Sequence, residues 1–455
     1  MTVDQYVAAE QSRLIEELCA FLRIPSVSTD PGRANAVRDA AEFSAAALRR
    51  LGFRAQLHET AGHPVVLGQG PVVAGAPHVL VYGHYDVQPA EPLELWAHDP
   101  FEPMVRDGII TARGASDDKG QVYAHVKGVE ALLASDGALP VNLSFLIEGE
   151  EEIGSPNLAA FVESHAETLA ADVVVISDGA MVRPGVPTIT YGLRGLTYAT
   201  VRVRAAGRDL HSGAYGGGVP NALDALARLL TSLKDDDGRV RVAGFYDAVR
   251  PLDERERSAI AGVPFDEDAF RADAGVTATP GEAGYSLLER LWARPTLDVN
   301  GLAGGFQGDG AKTVIAAEGM AKVSCRLVPD QDPRDVLAKL EAHLVAHAPA
   351  GVEVSVTAEG LGESAMTPLD APSVKAATTA LRQVWGREPV FARSGGSIPV
   401  VADFQRLLGA EPLLIGLGQE DDRAHAPNEK FAVHDYLQGI RVSAALLRAL
   451  GRPTG

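Results

Sequence analysis

Apolar residues recur along this chain with two alternating periods. Residues 2–22 carry Leu14, Leu18 and Phe21 at helical spacing, and Ile24-Pro25 stops the run. An Ala-rich segment of the same period covers 36–51 and closes on Gly52. Short strand-like runs follow at 53–58 and 64–67, and Val79-Leu-Val81 reads as a buried strand bounded by Gly83 and Pro89. The alternation continues with helix 118–135, strand 141–147, helix 157–170 and strand 172–177. Strands that are apolar on both faces and separated by helices predict an α/β fold, a mostly parallel sheet flanked by helices.

Beyond Tyr191-Gly-Leu-Arg-Gly195 the period changes. Residues 196–206 alternate apolar with polar, as an antiparallel strand with one wet face does. A helix at 220–234, strands near 296–300 and 313–327, a helix at 333–347 and a strand at 352–358 come next. The charged stretch from 235 to 290 is assigned no element. Two strands and a helix, repeated, predict an α+β domain inserted into the first. From about residue 368 the first texture returns, with helix 371–385, strands 388–392 and 412–416, and helix 433–449. The expected domains are therefore 1–195 together with 368–455, and an inserted 196–367.

Composition narrows the partners. Of 455 residues, 46% are hydrophobic and 22% charged, the balance of a globular chain with room for large cores. A net charge of −19, from 60 acidic against 41 basic residues, repels polyanions, so neither nucleic acid nor an anionic membrane is an expected partner. Cys19 and Cys325 sit in apolar contexts without metal-type spacing, as in a reducing compartment, and spacing leaves open whether they pair. Met1-Thr-Val-Asp-Gln-Tyr6 lacks the basic stretch and apolar core of an export signal. No apolar run reaches the roughly 18 residues of a membrane helix. A cytoplasmic protein is expected.

Side chains able to do chemistry gather just after the predicted strands. His84 and Asp86, at i and i+2, point to one side at the strand's carboxyl end, where open α/β sheets place their ligands. An imidazole beside a carboxylate suits zinc or manganese, though a short His-x-Asp is also an ordinary surface pair. Asp117 and Asp118 lie in a Gly-flanked turn before a helix, where Asp also serves as an N-cap. Glu148-Gly-Glu-Glu-Glu-Ile-Gly154 ends an apolar strand, and its carboxylates repel one another unless a cation or bulk water compensates. Asp178 ends another strand at a position that also suits a cap, and His425 follows strand 412–416 and an acidic loop.

The combination is more specific than any member. His84, Asp117, Glu152, Asp178 and His425 all fall at one edge of one sheet, and five nitrogen and oxygen donors can enclose two divalent cations. Two-metal sites about 3.5–4 Å apart polarise a carbonyl and activate water at neutral pH. Asp86 is then left to orient His84, and Glu151 to act as general base.

Six motifs occur in order along nearly the whole chain: Gly83-His-Tyr-Asp-Val-Gln-Pro89, Ala115-Ser-Asp-Asp-Lys-Gly120, Glu148-Gly-Glu-Glu-Glu-Ile-Gly-Ser155, Ile176-Ser-Asp178, Asp209-Leu-His-Ser-Gly213 and Gly395-Gly-Ser-Ile-Pro399. In these the chain resembles the di-metal aminoacylase/carboxypeptidase-G peptidases, and within them the cytosolic nonspecific dipeptidase (carnosinase-like) branch. The resemblance implies two Zn2+ or Mn2+ ions per subunit. His84, Glu152, Asp178 and His425 would be terminal ligands and Asp117 the bridge, next to a cis Asp117–Asp118 peptide bond. Glu151 would be base and then acid. The inserted domain would be a lid that also makes a homodimer, with His211 reaching the partner's site to stabilise the oxyanion and Thr313 beside it. Arg326 and Ser397 would hold the substrate's carboxylate. From the residues alone, His211 is a turn residue.

The implied activity is hydrolysis of small dipeptides, Xaa-Gly or carnosine-like. The alternative is an N-acyl-amino-acid deacylase of the acetylornithine or succinyl-diaminopimelate type, against which Asp178 counts, since such enzymes tend to carry Glu there. Two departures, Ala112 in place of the family's usual Gly and Gln121 in place of a common Pro, fall on positions that donate no ligand.

Overall fold

The computed structural model describes residues 1–396 and 398–452. They form two compact units. The first comprises Met1–Tyr191, Thr367–Ala392 and the chain from Asp403 onward; the second comprises Gly192–Met366 and Arg393–Ala402. The stretch 393–402 had been expected in the first domain. Its local bonds explain the grouping: Arg393 pairs with Glu256, and Arg194 Nε donates to Gly395 O at 3.1 Å.

In the first unit the strands run in the order Arg54–His58, Val65–Gln69, Asn142–Glu148, His78–His84, Val173–Ile176, Glu411–Gly416, Thr188–Leu193. The central four are parallel, and the outer ones pair antiparallel. Strands on both sides of the centre read as continuous apolar runs because both faces are covered: Val79, Leu80, Val81, Val174, Val175 and Ile176 are all buried. Register aligns the strand ends, with His84 opposite Glu148 and Tyr82 opposite Ile176. The loops leaving the carboxyl ends of the four parallel strands therefore open at one edge.

Helices close over this sheet. Val3–Leu22 starts with Thr2 and Gln5 capping each other reciprocally. Lys119–Asp136 packs against Val433–Leu450 at a close crossing: a Cβ added to Gly128 would lie 2.4 Å from Ser443 Cβ and 3.0 Å from Ile440 O. The second unit holds a four-stranded antiparallel sheet in the order Thr296–Gly304, Glu318–Leu327, Gly195–Arg204, Glu353–Gly362. Val201, Val203, Val323, Leu226, Leu229 and Leu340 form its core against helices Ala222–Ser232 and Pro333–Ala346. Among the described residues, no helix is long and apolar enough to cross a membrane.

The expected α/β fold with its inserted α+β module is present, and the differences are local. The helix expected over 157–170 is two short ones, Leu158–Ser164 and Ala166–Leu169, interrupted where His165 takes φ −116°. The single strand expected over 313–327 is Val314–Ile315 and Glu318–Leu327. Residues 235–290, given no element, carry helices Glu254–Ala261 and Glu267–Ala274, each capped by a preceding Asp side chain. Helix Pro399–Leu408 was also not foreseen.

The crossing at Gly128 gives a test with a sign. Ala is the better helix former by about 1 kcal/mol, but here its methyl meets backbone and a buried Ser443. Overpacking of this kind costs about 1–3 kcal/mol. Gly128→Ala is therefore expected to lower the melting temperature, and a rise measured by calorimetry would contradict the close packing.

Candidate metal centre

His84 ends its strand and is fully buried. Its Nδ1 lies 3.1 Å from Asp86 O and 3.4 Å from Asp86 Oδ1, so Asp86 holds the far side of the ring. The ring's other nitrogen, Nε2, faces Asp117 Oδ1 at 3.2 Å and Asp178 Oδ2 at 3.9 Å, without hydrogen-bond alignment to either. Asp117's second oxygen, Oδ2, lies 2.9 Å from His425 Nε2, and that nitrogen is 3.2 Å from Glu152 Oε2. Asp117 thus turns one oxygen to each imidazole. Donor atoms of His84, Asp117 and Glu152 fall within 4.8 Å of one another.

Backbone bonds to carboxylates hold this arrangement. Asp86 Oδ1 and Oδ2 accept from Glu151 N (3.3 Å) and Glu152 N (3.1 Å), fixing the turn that carries both glutamates. Asp118 stands at the helix N-cap position but does not cap; its Oδ2 accepts from His84 N at 3.1 Å. Gly83 permits that approach, since a Cβ there would lie 2.6 Å from Asp118 Oδ2. The Asp117–Asp118 peptide bond is cis. No helix follows Asp178, so it is not a cap either. His425 takes φ +61°, in the left-handed region that costs a non-Gly residue about 1–3 kcal/mol. Asn428 anchors this loop, accepting from Ala97 N and donating to Leu95 O, each at 2.8 Å.

So many acids in one dry place alter one another's protonation. Burial, then the charge of Asp117, pushes Asp178 up to about 8. Burial, offset by His84 and reinforced by Glu152 and Asp117, pushes Glu151 up to about 7. Asp117 moves the other way: burial would raise it, but His425 and His84 hold it below the usual range. Burial opposes a charged His84, yet the facing carboxylates of Asp117, Asp86 and Asp178 keep it well above the imidazole range. Hydrogen bonds to Asp117 and Glu152 raise His425 to about 10. The donor set fits a divalent cation: a buried imidazole nitrogen without a hydrogen bond faces carboxylate oxygens, and protons and imidazolium charge occupy the place positive charge would take.

Of the residues singled out in the sequence, His84, Asp86, Asp117, Glu151, Glu152, Asp178 and His425 come together in the first unit. His211, Thr313 and Arg326 lie in the second. His211 is exposed, pairs with Val314 in a short ladder and accepts at Nδ1 from Gly213 N (3.0 Å). Thr313 is its neighbour, Ser212 N donating to Thr313 O at 3.1 Å. Arg326 is half-buried opposite Leu196 and Thr296, and Ser397 lies outside the described residues. Three participants were missed. Gln88 donates from N (3.1 Å) and Nε2 (2.8 Å) to the two oxygens of Glu152. Asp118 looked like a cap, and Glu429 was assigned no role. Burial, then the charge of Arg326, lowers a further guanidinium, Arg194, to about 10.

A parallel sheet whose strand ends present such a donor set defines a metal-dependent hydrolase. Residues 80–449 match the model of Peptidase family M20/M25/M40, and the chain belongs to that family. It is 34% identical over 462 residues to the Cys-Gly metallodipeptidase DUG1 of Candida albicans, covering 97% of this chain and 95% of that protein. Similarity to the human Beta-Ala-His dipeptidase is 34% over 465 residues, 97% of this chain and 91% of that one. The solved structure of an M20 metallo-carboxypeptidase from Sulfolobus solfataricus matches with a TM-score of 0.82 at 34% identity, covering 96% of this chain and 99% of that one. The family resemblance carried by the six motifs is borne out.

His425 supplies a pH test on metal-free protein. Its value of about 10 exceeds the ordinary 6.5, so its contribution to stability is complete below pH about 6.5 and is lost as pH rises through about 10. The melting-temperature gap between metal-free wild type and His425→Asn should shrink across that window. A gap constant from pH 6 to 10 would contradict the His425–Asp117–Glu152 contacts.

Proposed function

We propose that this protein is a metal-dependent dipeptidase acting on small dipeptides, Xaa-Gly or carnosine-like. The observation that carries this reading is Asp117, whose two oxygens face two different imidazoles. On this reading His84, Asp178 and Asp117 would hold one ion, and His425, Glu152 and Asp117 the second. Zn2+ and Mn2+ both suit imidazole and carboxylate donors. Two such ions polarise the scissile carbonyl and lower the pKa of water.

The chain's own residues do the rest. Glu151, pushed up to about 7 in the metal-free protein, is poised to take a proton from water and give it to the departing amine. Asp86 keeps His84 oriented and fixes the turn that carries Glu151. His211 donates to the oxyanion in the partner subunit of a homodimer, beside Thr313, and Arg326 with Ser397 holds the substrate's terminal carboxylate. The second unit acts as the lid. Two buried, unbridged cysteines suit a reducing compartment, and the proposed location is the cytoplasm. Relatives named as dipeptidases weigh against the deacylase alternative.

Metal-stripped protein reloaded with zinc or manganese is expected to cleave Cys-Gly, Leu-Gly or carnosine, and to leave N-acetylornithine and N-succinyl-diaminopimelate intact. Cleavage of an acyl substrate alone would move the protein to the deacylases; release of C-terminal residues from longer peptides would make it a carboxypeptidase.

The roles of Glu151 and His211 are tested together. Glu151→Gln and His211→Ala should each lower kcat by at least about 100-fold. After subunit exchange of an equal mixture, half the dimers are mixed and each has one intact site. Activity should therefore return to about a quarter of wild type. No recovery with exchange demonstrated would remove the trans role of His211.

A further inference from the structure

Glu429 is fully buried, four residues after His425. Its Oε1 accepts from Ser116 N (2.9 Å) and Asp117 N (3.0 Å). Its Oε2 accepts from Gly114 N (2.9 Å) and Arg113 Nη1 (2.8 Å). Its carbonyl accepts from Ala112 N at 3.1 Å. A carboxylate offers about four acceptor positions, and here four N–H groups use them. Arg113 is itself buried, donates from Nη2 to Pro89 O (3.0 Å) and lies over the Trp96 ring.

A buried ion pair is weak evidence of stabilisation, because apolar residues of the same volume often serve as well. What apolar residues cannot do is orient a run of peptide groups. Three of the four bonds come from peptide groups of one turn, at 114, 116 and 117, the fourth from the Arg113 side chain, and the run ends at the amide of the residue that faces both imidazoles. The carboxylate also belongs to the loop that carries His425. One side chain therefore sets the Asp117 peptide and ties it to the segment bearing the second imidazole.

We propose that Glu429 is a positioning residue for the metal pair: by clamping the 113–117 turn to the His425 loop, it sets the direction of the two Asp117 oxygens. This rests on the two-metal reading above. The proposal predicts that Glu429 governs the affinity and the coupling of the ions. Residues that orient metal ligands typically contribute about 10–100-fold in metal affinity.

Glu429→Gln preserves volume but must turn an NH2 group toward one pair of N–H donors, so half the clamp is lost. It also leaves Arg113 buried without its anion, and Glu429→Gln combined with Arg113→Met removes that liability. Metal-stripped wild type and both variants would be titrated with Mn2+ by calorimetry and examined by electron paramagnetic resonance, which distinguishes two exchange-coupled ions from isolated ones. Melting of the metal-free proteins checks the fold. We expect wild type to take up two coupled ions, and the variants to fold, bind Mn2+ at least about ten-fold more weakly and lose the coupling.

A folded variant with wild-type affinity and coupling would overturn the proposal. So would failure of both variants to fold without metal, which would assign Glu429 to the fold alone. Wild type that binds no pair of ions would instead overturn the two-metal reading itself.

Discussion

Negative charge concentrated where water is scarce is the condition every part of the centre answers to. Asp86, Asp117, Asp118, Glu151, Glu152 and Asp178 gather around two imidazoles. Two like charges 4 Å apart repel by about 4 kcal/mol at an effective dielectric of about 20. A few such pairs match the whole stability of a domain, about 5–15 kcal/mol. The charge must be cancelled, and the metal-free site shows how: Glu151 and Asp178 shift upward to keep protons, while His84 and His425 stay charged. Cations bound in the same place would do the cancelling and release those protons.

A site with this much internal repulsion needs a frame that does not yield. The parallel sheet provides it by aligning four strand ends, and the carboxylates themselves provide the remainder. Asp86, Asp118 and Glu429 each spend their oxygens on backbone N–H groups of a neighbouring ligand loop. Gln88 does the same work from the donor side, gripping both oxygens of Glu152. Acids outside the proposed donor set thus decide where the donors are pointed.

Relatives of this chain are named for Cys-Gly and for β-Ala-His hydrolysis. A metal pair acts on the carbonyl that all peptides share, so selectivity among dipeptides belongs to residues outside the donor set. On the reading proposed above, His211, Thr313 and Arg326 are where that selectivity would be set.

Much was legible in the sequence because it is written in local periods. Apolar runs with intervening helices announced the α/β unit, alternation after residue 195 announced the antiparallel one, and donors placed after strands announced the centre. Other segments were not read: 235–290 holds helices set by Asp caps and tertiary contacts, and 399–408, although Val400, Val401 and Phe404 recur at helical spacing and are buried, follows Gly395-Gly396 and was passed over. Single residues were misread where a common role masked another. Asp118 looks like a cap because Asp caps helices; only the approach of Gly83 gives its oxygen to His84 instead. Glu429 draws no reading from the sequence because nothing within ten residues accounts for it. Its partners are more than 300 positions away, at 113–117. The sequence by itself determined which donors exist and which strands deliver them, since those follow from spacing along the chain. Only the tertiary structure decided which oxygen faces which nitrogen and which acids hold the loops, because those bonds join segments that sequence distance does not relate.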